Sequence, residues 1–198
     1  LWEEYCERNP GGFYSYNHYC RMYREWLKTT SPSMRQVHKA GEKLFVDYCG
    51  PTVGVTDPET GEIRTAQVIV AVLGASSYTW AEATWSQQLE DWVMSHVRCF
   101  QWLGGVPELV VPDNLKSATS RACKYDPDVN PTYQQMLEHY NVAVLPARPR
   151  KPKDKAKAEV GVQVVERWIM ARIRHEIFYS LASLNQRIRE LLERLNNK

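Results

Sequence analysis

The chain has 198 residues, 43% of them apolar and 24% charged, and a formal net charge of +2, which suits one globular domain with a real core plus something smaller. Its longest uninterrupted apolar run, Val68 to Leu73, is too short to cross a bilayer, so no membrane span is expected. The five cysteines (6, 20, 49, 99 and 123) are odd in number and form no Cys-x-x-Cys pair, which argues against a disulfide scaffold or a zinc knuckle.

The cysteines read instead as buried, reduced thiols in a cytoplasmic setting. His18 and Cys20 lie close together, but no second pair completes a tetrahedral metal site. The opening residues, LWEEYCERNP, lack both an initiator Met and the basic-then-apolar pattern of a signal peptide, so the sequence reads as a fragment.

Taken in order, residues 1–28 read as helical. SYNHYCRMYREWLK starts at a plausible N-cap, Ser15, and spaces Tyr16, Tyr19, Tyr23, Trp26 and Leu27 along one side, while the preceding NPGG ends a short first helix. Helix, glycine turn, helix is compatible with the end of a helix-turn-helix DNA-binding region and equally with a plain helical hairpin. Residues 29–41 have linker composition.

From Glu42 the period becomes that of strands. EKLFVDYCG and VGVTD predict one or two strands, DPETG a turn, and IRTAQVIVAVLGAS and YTWAEATW two further strands of an antiparallel meander. QLEDWVMSHVRCFQWLGG has helical spacing and a Gly-Gly stop. A strand ELVV, a helix PTYQQMLEHYN and a strand VAVLPA follow. DKAKAEVGVQVVERWIMARIRHEIF reads as one long helix despite Gly161, and a last helix is expected from a capping box at Ser183 to Gln186. The order predicts an α/β fold: a five-stranded mixed sheet flanked by helices, the ribonuclease-H-like arrangement, preceded by a small helical segment. The expected division is a helical segment 1–28, a linker 29–41, a ribonuclease-H-like core 42–178 and a C-terminal helix 179–198.

Charge is unevenly distributed. Eight acidic residues face two basic ones between Glu42 and Asp91, whereas RPRKPKDKAK, Arg148 to Lys157, holds six basic residues and one acidic one. An acidic core region beside a basic segment points to cation binding near a polyanion, although a solvated loop has the same composition. Three carboxylates stand at informative places. Asp47 interrupts the apolar strand LFVDYCG, Asp113 ends ELVVPDN, and Glu159 lies in the first turns of the long helix. Singly, each has an ordinary explanation in an edge position or a turn. Together, they can meet where parallel connections bring strand ends to one side of the sheet. Three such charges repel unless a cation joins them, and Mg²⁺ takes carboxylate oxygens while keeping exchangeable waters.

MRQVHKAGEKLFVDYCG, VPDNLKSA and LPARPRKPKDKAKAEVGVQVVERW together resemble the DDE transposase and retroviral-integrase superfamily, most nearly the IstA-type transposases of bacterial insertion sequences. The resemblance implies Asp47, Asp113 and Glu159 as catalytic, metal-binding residues. It implies two Mg²⁺ ions, for which Mn²⁺ substitutes. The implied activity is metal-dependent 3′-end cleavage and strand transfer by direct phosphoryl transfer during DNA transposition. It also implies element-end and target DNA as partners, a homo-multimer on DNA, a helper AAA+ ATPase of the IstB type, and a bacterial cytoplasmic location. The 45 residues between Asp113 and Glu159 exceed the spacing in retroviral integrases, and the His/His/Cys/Cys zinc module of those enzymes is not in this chain. Cys49 stands where a small residue such as alanine is expected.

Around this site Lys116, Arg148, Arg150, Lys151, Lys153, Lys155, Lys157 and Gln163 are candidate DNA contacts, with Lys155 and Lys157 nearest the helix start. Glu166, on the face of Glu159, reads as a salt-bridge partner, and Trp80, Trp85, Trp92 and Trp102 read as core. Two other readings compete: a ribonuclease-H-like nuclease that only hydrolyses, and a catalytically silent DNA-binding or assembly module.

Overall fold

A computed structural model of the chain describes residues 1–30, 37–112, 119–121, 128–146 and 152–197. It divides into two units, Leu1–Val37 and His38–Lys198. In the first, helix α1 (Trp2–Arg8) stops before Pro10, whose ring cannot continue a helix, and Gly11 at φ +87° supports the reversal into α2 (Tyr16–Thr30). Rings hold this hairpin. Trp2 lies 5.3 Å from Tyr19 and edge-on to Phe13 and Tyr16, Tyr5 lies 5.0 Å from Tyr19, and the Tyr14 amide donates to the Tyr5 hydroxyl.

The second unit is built on a mixed sheet. Its strands are β1 (Lys43–Tyr48), β2 (Val53–Thr56), β3 (Ile63–Leu73), β4 (Thr79–Thr84), β5 (Leu109–Pro112) and β8 (Ala143–Val144). A separate antiparallel pair is formed by β6 (Thr119–Arg121) and β7 (Asp128–Val129). Strands β1 and β2 both pair antiparallel with β3, Leu44 opposite Leu73 through Thr56 opposite Ile63, so they occupy one lane interrupted at residues 49–52. The sheet is therefore five lanes wide, as expected from the sequence. Its other pairings are β3 with β4 antiparallel and β1 with β5, then β5 with β8, parallel.

Alternation along these strands decides which helices go where. Leu44, Val46, Tyr48, Ile69 and Ala71 bury one face with Trp92, Cys99 and Phe100 of α3 (Leu89–Leu103) and Tyr133 and Leu137 of α4 (Pro131–His139). On the other face Val68, Val70 and Val72 pack with residues of α5 (Pro152–Val165), a π turn (Glu166–Met170), α6 (Ala171–Ile173) and α7 (Leu181–Asn196). α5 approaches β3 so closely that a Cβ on Gly161 would lie 2.2 Å from Val72 Cγ2. Glycine is required there by packing, although it costs helix stability. Trp80 and Trp92 are fully buried and Trp85 and Trp102 pack at the core margin, in agreement with the sequence reading.

Two boundaries differ from the periodicity. The long helical run stops at Ile173, because the chain leaves the helix for Phe178 to bridge Val55, with the Thr56 amide donating to the Phe178 carbonyl at 2.8 Å. α7 starts earlier than the expected capping box, because the Ser180 side chain accepts from the Ser183 amide at 3.1 Å. α7 then covers the outer edge of β4. The Asn185 side chain exchanges hydrogen bonds of 2.7 and 2.9 Å with the Ala83 backbone, and Asn196 does so with Thr79 at 3.0 and 2.8 Å. Side-chain amides thus stand in for a further strand and blunt an edge that would otherwise template pairing with another chain.

Candidate active site

Asp47 sits one residue before the end of β1 and is half-buried. It is paired with Val70 and shares the face of Phe45 and Val70, the face on which α5 lies. One of its oxygens accepts the Tyr48 amide at 2.8 Å. In the adjacent lane, Val46 pairs in parallel with Pro112, the last residue of β5. Asp113 follows Pro112 and lies outside the described residues, as do Lys116, Arg148, Arg150 and Lys151.

Helix α5 is anchored across these two strands. Ala158 is buried against Phe45 and Val111, which are themselves register partners. Burial of Ala158 turns its neighbour Glu159 outward to solvent, and Gln163, one turn on, is likewise exposed. Lys157 points elsewhere. Its Nζ donates to Ser77 Oγ at 2.9 Å, at the turn between β3 and β4, and that turn adjoins the start of β1 through the Gly74 amide and the Lys43 carbonyl. The helix therefore tracks β1, from Lys157 near its first residue to Glu166 beyond its last. Lys153 and Lys155 belong to α5, but their side chains lie outside the described residues.

The loop after Asp47 contains two features. Cys49 is buried, and its thiol is pushed up to about 12, first by burial and then by the charges of Glu166 and Asp47. It is a neutral, inert filler that fits the place where a small residue was expected. Glu166 accepts the Gly50 amide at 3.3 Å; the sequence had indicated a salt bridge. Nothing local signals that contact, because its partners are 116 positions apart.

Asp47 thus offers hard oxygen donors on the face that α5 covers, and the soft donor beside it, Cys49, is held protonated. Among the described residues no three His, Cys, Asp or Glu side chains gather closely enough to hold an ion. No helix among them is long and apolar enough to cross a membrane.

A mixed sheet with helices on both faces and an acidic residue near the end of its first strand defines a ribonuclease-H-like core of the integrase type. The catalytic core domain of BIV integrase superposes with a TM-score of 0.55 over 80% of this chain and 86% of its own, at 11% identity. A chain of the simian T-cell lymphotropic virus intasome gives 0.56 over 78% and 49%, at 12% identity. The Integrase core domain family model matches residues 37–152, and the chain belongs to that family. Among its relatives, a protein of Burkholderia multivorans named for a transposase of insertion sequence IS408 is 53% identical over the whole of this chain. A Pseudomonas fluorescens protein named for a transposase of IS1162 is 51% identical, again over the whole chain. The chain spans 38% and 36% of the length of these two relatives.

Proposed function

We propose that this domain is the catalytic core of a DNA transposase that frees the 3′ ends of an insertion sequence and joins them to target DNA. The observation that carries this reading is the parallel register of Val46 with Pro112, since the residues next in sequence are Asp47 and Asp113. Glu159 supports it from the helix that Ala158 anchors over the same two strands. Similarity to transposases over the whole of this chain supports DNA as substrate, with element ends and target as its two forms.

In this reading Asp47, Asp113 and Glu159 hold two Mg²⁺ ions, or Mn²⁺ in their place. These would supply activation of the attacking oxygen and charge stabilisation of the leaving one. Water would attack the phosphodiester at the element's end and displace its 3′-oxygen as a free hydroxyl, which would then attack a target phosphodiester and displace that strand's 3′-oxygen, so positioning and electrostatics do the catalysis. Cys49 takes no part as a nucleophile, being neutral and buried. Lys151, Lys153 and Lys155, with Arg148 and Arg150, hold DNA phosphates beside Glu159, and Lys116 and Gln163 add contacts at its flanks. The complete protein acts as a homo-multimer on paired ends in the bacterial cytoplasm, served by an IstB-type AAA+ ATPase. Residues 1–28 are the end of a DNA-binding helical region, 29–41 a linker, 42–178 the catalytic core and 179–198 its C-terminal helix.

The test is a cleavage-and-joining assay with the complete polypeptide and a duplex bearing the element's end. Asp113→Asn, Asp47→Asn and Glu159→Gln are each expected to lower both steps by at least about a hundredfold while DNA binding persists, as loss of a charge-stabilising group requires. Joining by Asp113→Asn at the parent rate would remove the assignment. Cutting without joining in the parent protein would favour a nuclease that only hydrolyses.

A further inference from the structure

We infer that Glu166 is a positioning residue of this active site, tying the chain just beyond Asp47 to the helical run that carries Glu159. The inference rests on the catalytic reading above. Strand β1 does not pass smoothly into β2. Pairing with β3 holds to Tyr48 opposite Ile69 and resumes at Val53 opposite Ala66, so residues 49–52 face only 67–68. An interruption of this kind bends a strand and leaves part of its ladder unmade. The Cys49 amide still reaches the Val68 carbonyl at 2.8 Å, and Pro51 has no amide to place. Gly50 has one, and the Glu166 carboxylate accepts it at 3.3 Å.

The geometry on the helix side is equally specific. Glu166 opens the π turn Glu166–Met170, a departure from the α-helical period that changes how successive side chains are aimed. The next residues inward, Ile169 and Met170, are buried in the core, so the turn cannot swing freely. The Glu166 side-chain oxygen spans sheet and helix, so what it supplies is an acceptor in a fixed place for the Gly50 amide. The bond closes a frame: β1 carries Asp47, Ala158 seats the front of α5 on Phe45, and Glu166 seats its rear on Gly50. Releasing the rear lets the end of β1 shift relative to Glu159 without unfolding either element.

The complete polypeptide bound to its element-end duplex provides the test, with Mn²⁺ as probe. Mn²⁺ binding is followed by electron paramagnetic resonance, joining by single-turnover kinetics, and stability by thermal unfolding. Glu166→Ala is expected to raise the half-saturating Mn²⁺ concentration and slow joining by about tenfold, the usual effect of losing a group that orients a ligand. Glu166→Gln keeps an oxygen to accept from Gly50 and is expected to restore both to within about threefold. Equal loss in Glu166→Gln and Glu166→Ala would mean that the charge is used and would overturn the inference. A lowered melting temperature with an unmoved Mn²⁺ midpoint would do the same, by reducing Glu166 to a fold contact. Asp47→Asn separates the two levels. If it leaves Mn²⁺ binding and joining intact, the catalytic reading has failed and this inference with it. If Asp47→Asn removes both and Glu166→Ala removes neither, only the role of Glu166 is lost.

Discussion

At the scale of single residues, the buried chemistry of this domain serves its fold. His96 is enclosed between α3 and α4, with Nδ1 2.8 Å from the Trp92 carbonyl and Nε2 3.0 Å from the Tyr133 hydroxyl. A carbonyl only accepts, so Nδ1 carries the proton, Nε2 accepts, and the Tyr133 hydroxyl donates. Burial lowers the His96 pKa from 6.5 to about 4, with the Trp92 carbonyl opposing. Because the folded value lies below the unfolded one, the unfolded chain binds the proton first as pH falls through this window. The contribution of His96 to stability is therefore complete above about pH 6.5 and is lost between there and pH 4, by about 3 kcal/mol at the lower end. Denaturant unfolding at pH 7 and pH 5 checks this; equal free energies at the two would show that His96 titrates normally.

At the scale of elements, the docking of α5 is the arrangement on which the site depends. Gly161 allows the helix to lie against Val72, a β-branched residue with little rotamer freedom. Gly161→Ala gains about 1 kcal/mol of helix propensity. A contact at 2.2 Å in a packed core outweighs that gain, so a net destabilisation of about 1–2 kcal/mol is expected. Val72→Ala in the same chain makes room, and a double-mutant cycle should show a coupling of at least about 1 kcal/mol. Additive effects would mean that the helix backbone yields without resistance. The asparagine ladder of α7 is the second such device, joining β4 to the helix by four hydrogen bonds of 2.7–3.0 Å.

At the scale of the whole molecule, the basic residues are concentrated in one stretch of the chain, away from the acidic region Glu42 to Asp91. In the proposed function the segment Arg148–Lys157, which precedes Glu159 directly in sequence, would hold DNA phosphates beside the site. Lys157 is set apart from its neighbours by its hydrogen bond to Ser77. Replacing Lys153 and Lys155 together by alanine should weaken DNA binding alike for all sequences and reduce the slope of log affinity against log salt by about two. Filter binding across a salt series on specific and unrelated duplexes checks this. A loss confined to the element's end would assign these lysines to base recognition.

What the sequence determined by itself was local or periodic. The apolar, β-branched-rich runs in LFVDYCG and IRTAQVIVAVLGAS were enough for the strands, because strands covered on both faces bury successive residues. Gly-Gly after α3 marked a real end, because caps satisfy orphan backbone groups within a few residues. Asp47 was legible because a carboxylate inside an apolar strand conflicts with its surroundings. Tertiary structure alone decided what depends on partners far along the chain. Phe178 left the helix to pair with Val55. Lys157 turned to Ser77 and Glu166 to Gly50. In each case the deciding group lies across the fold, where no pattern in neighbouring residues can register it.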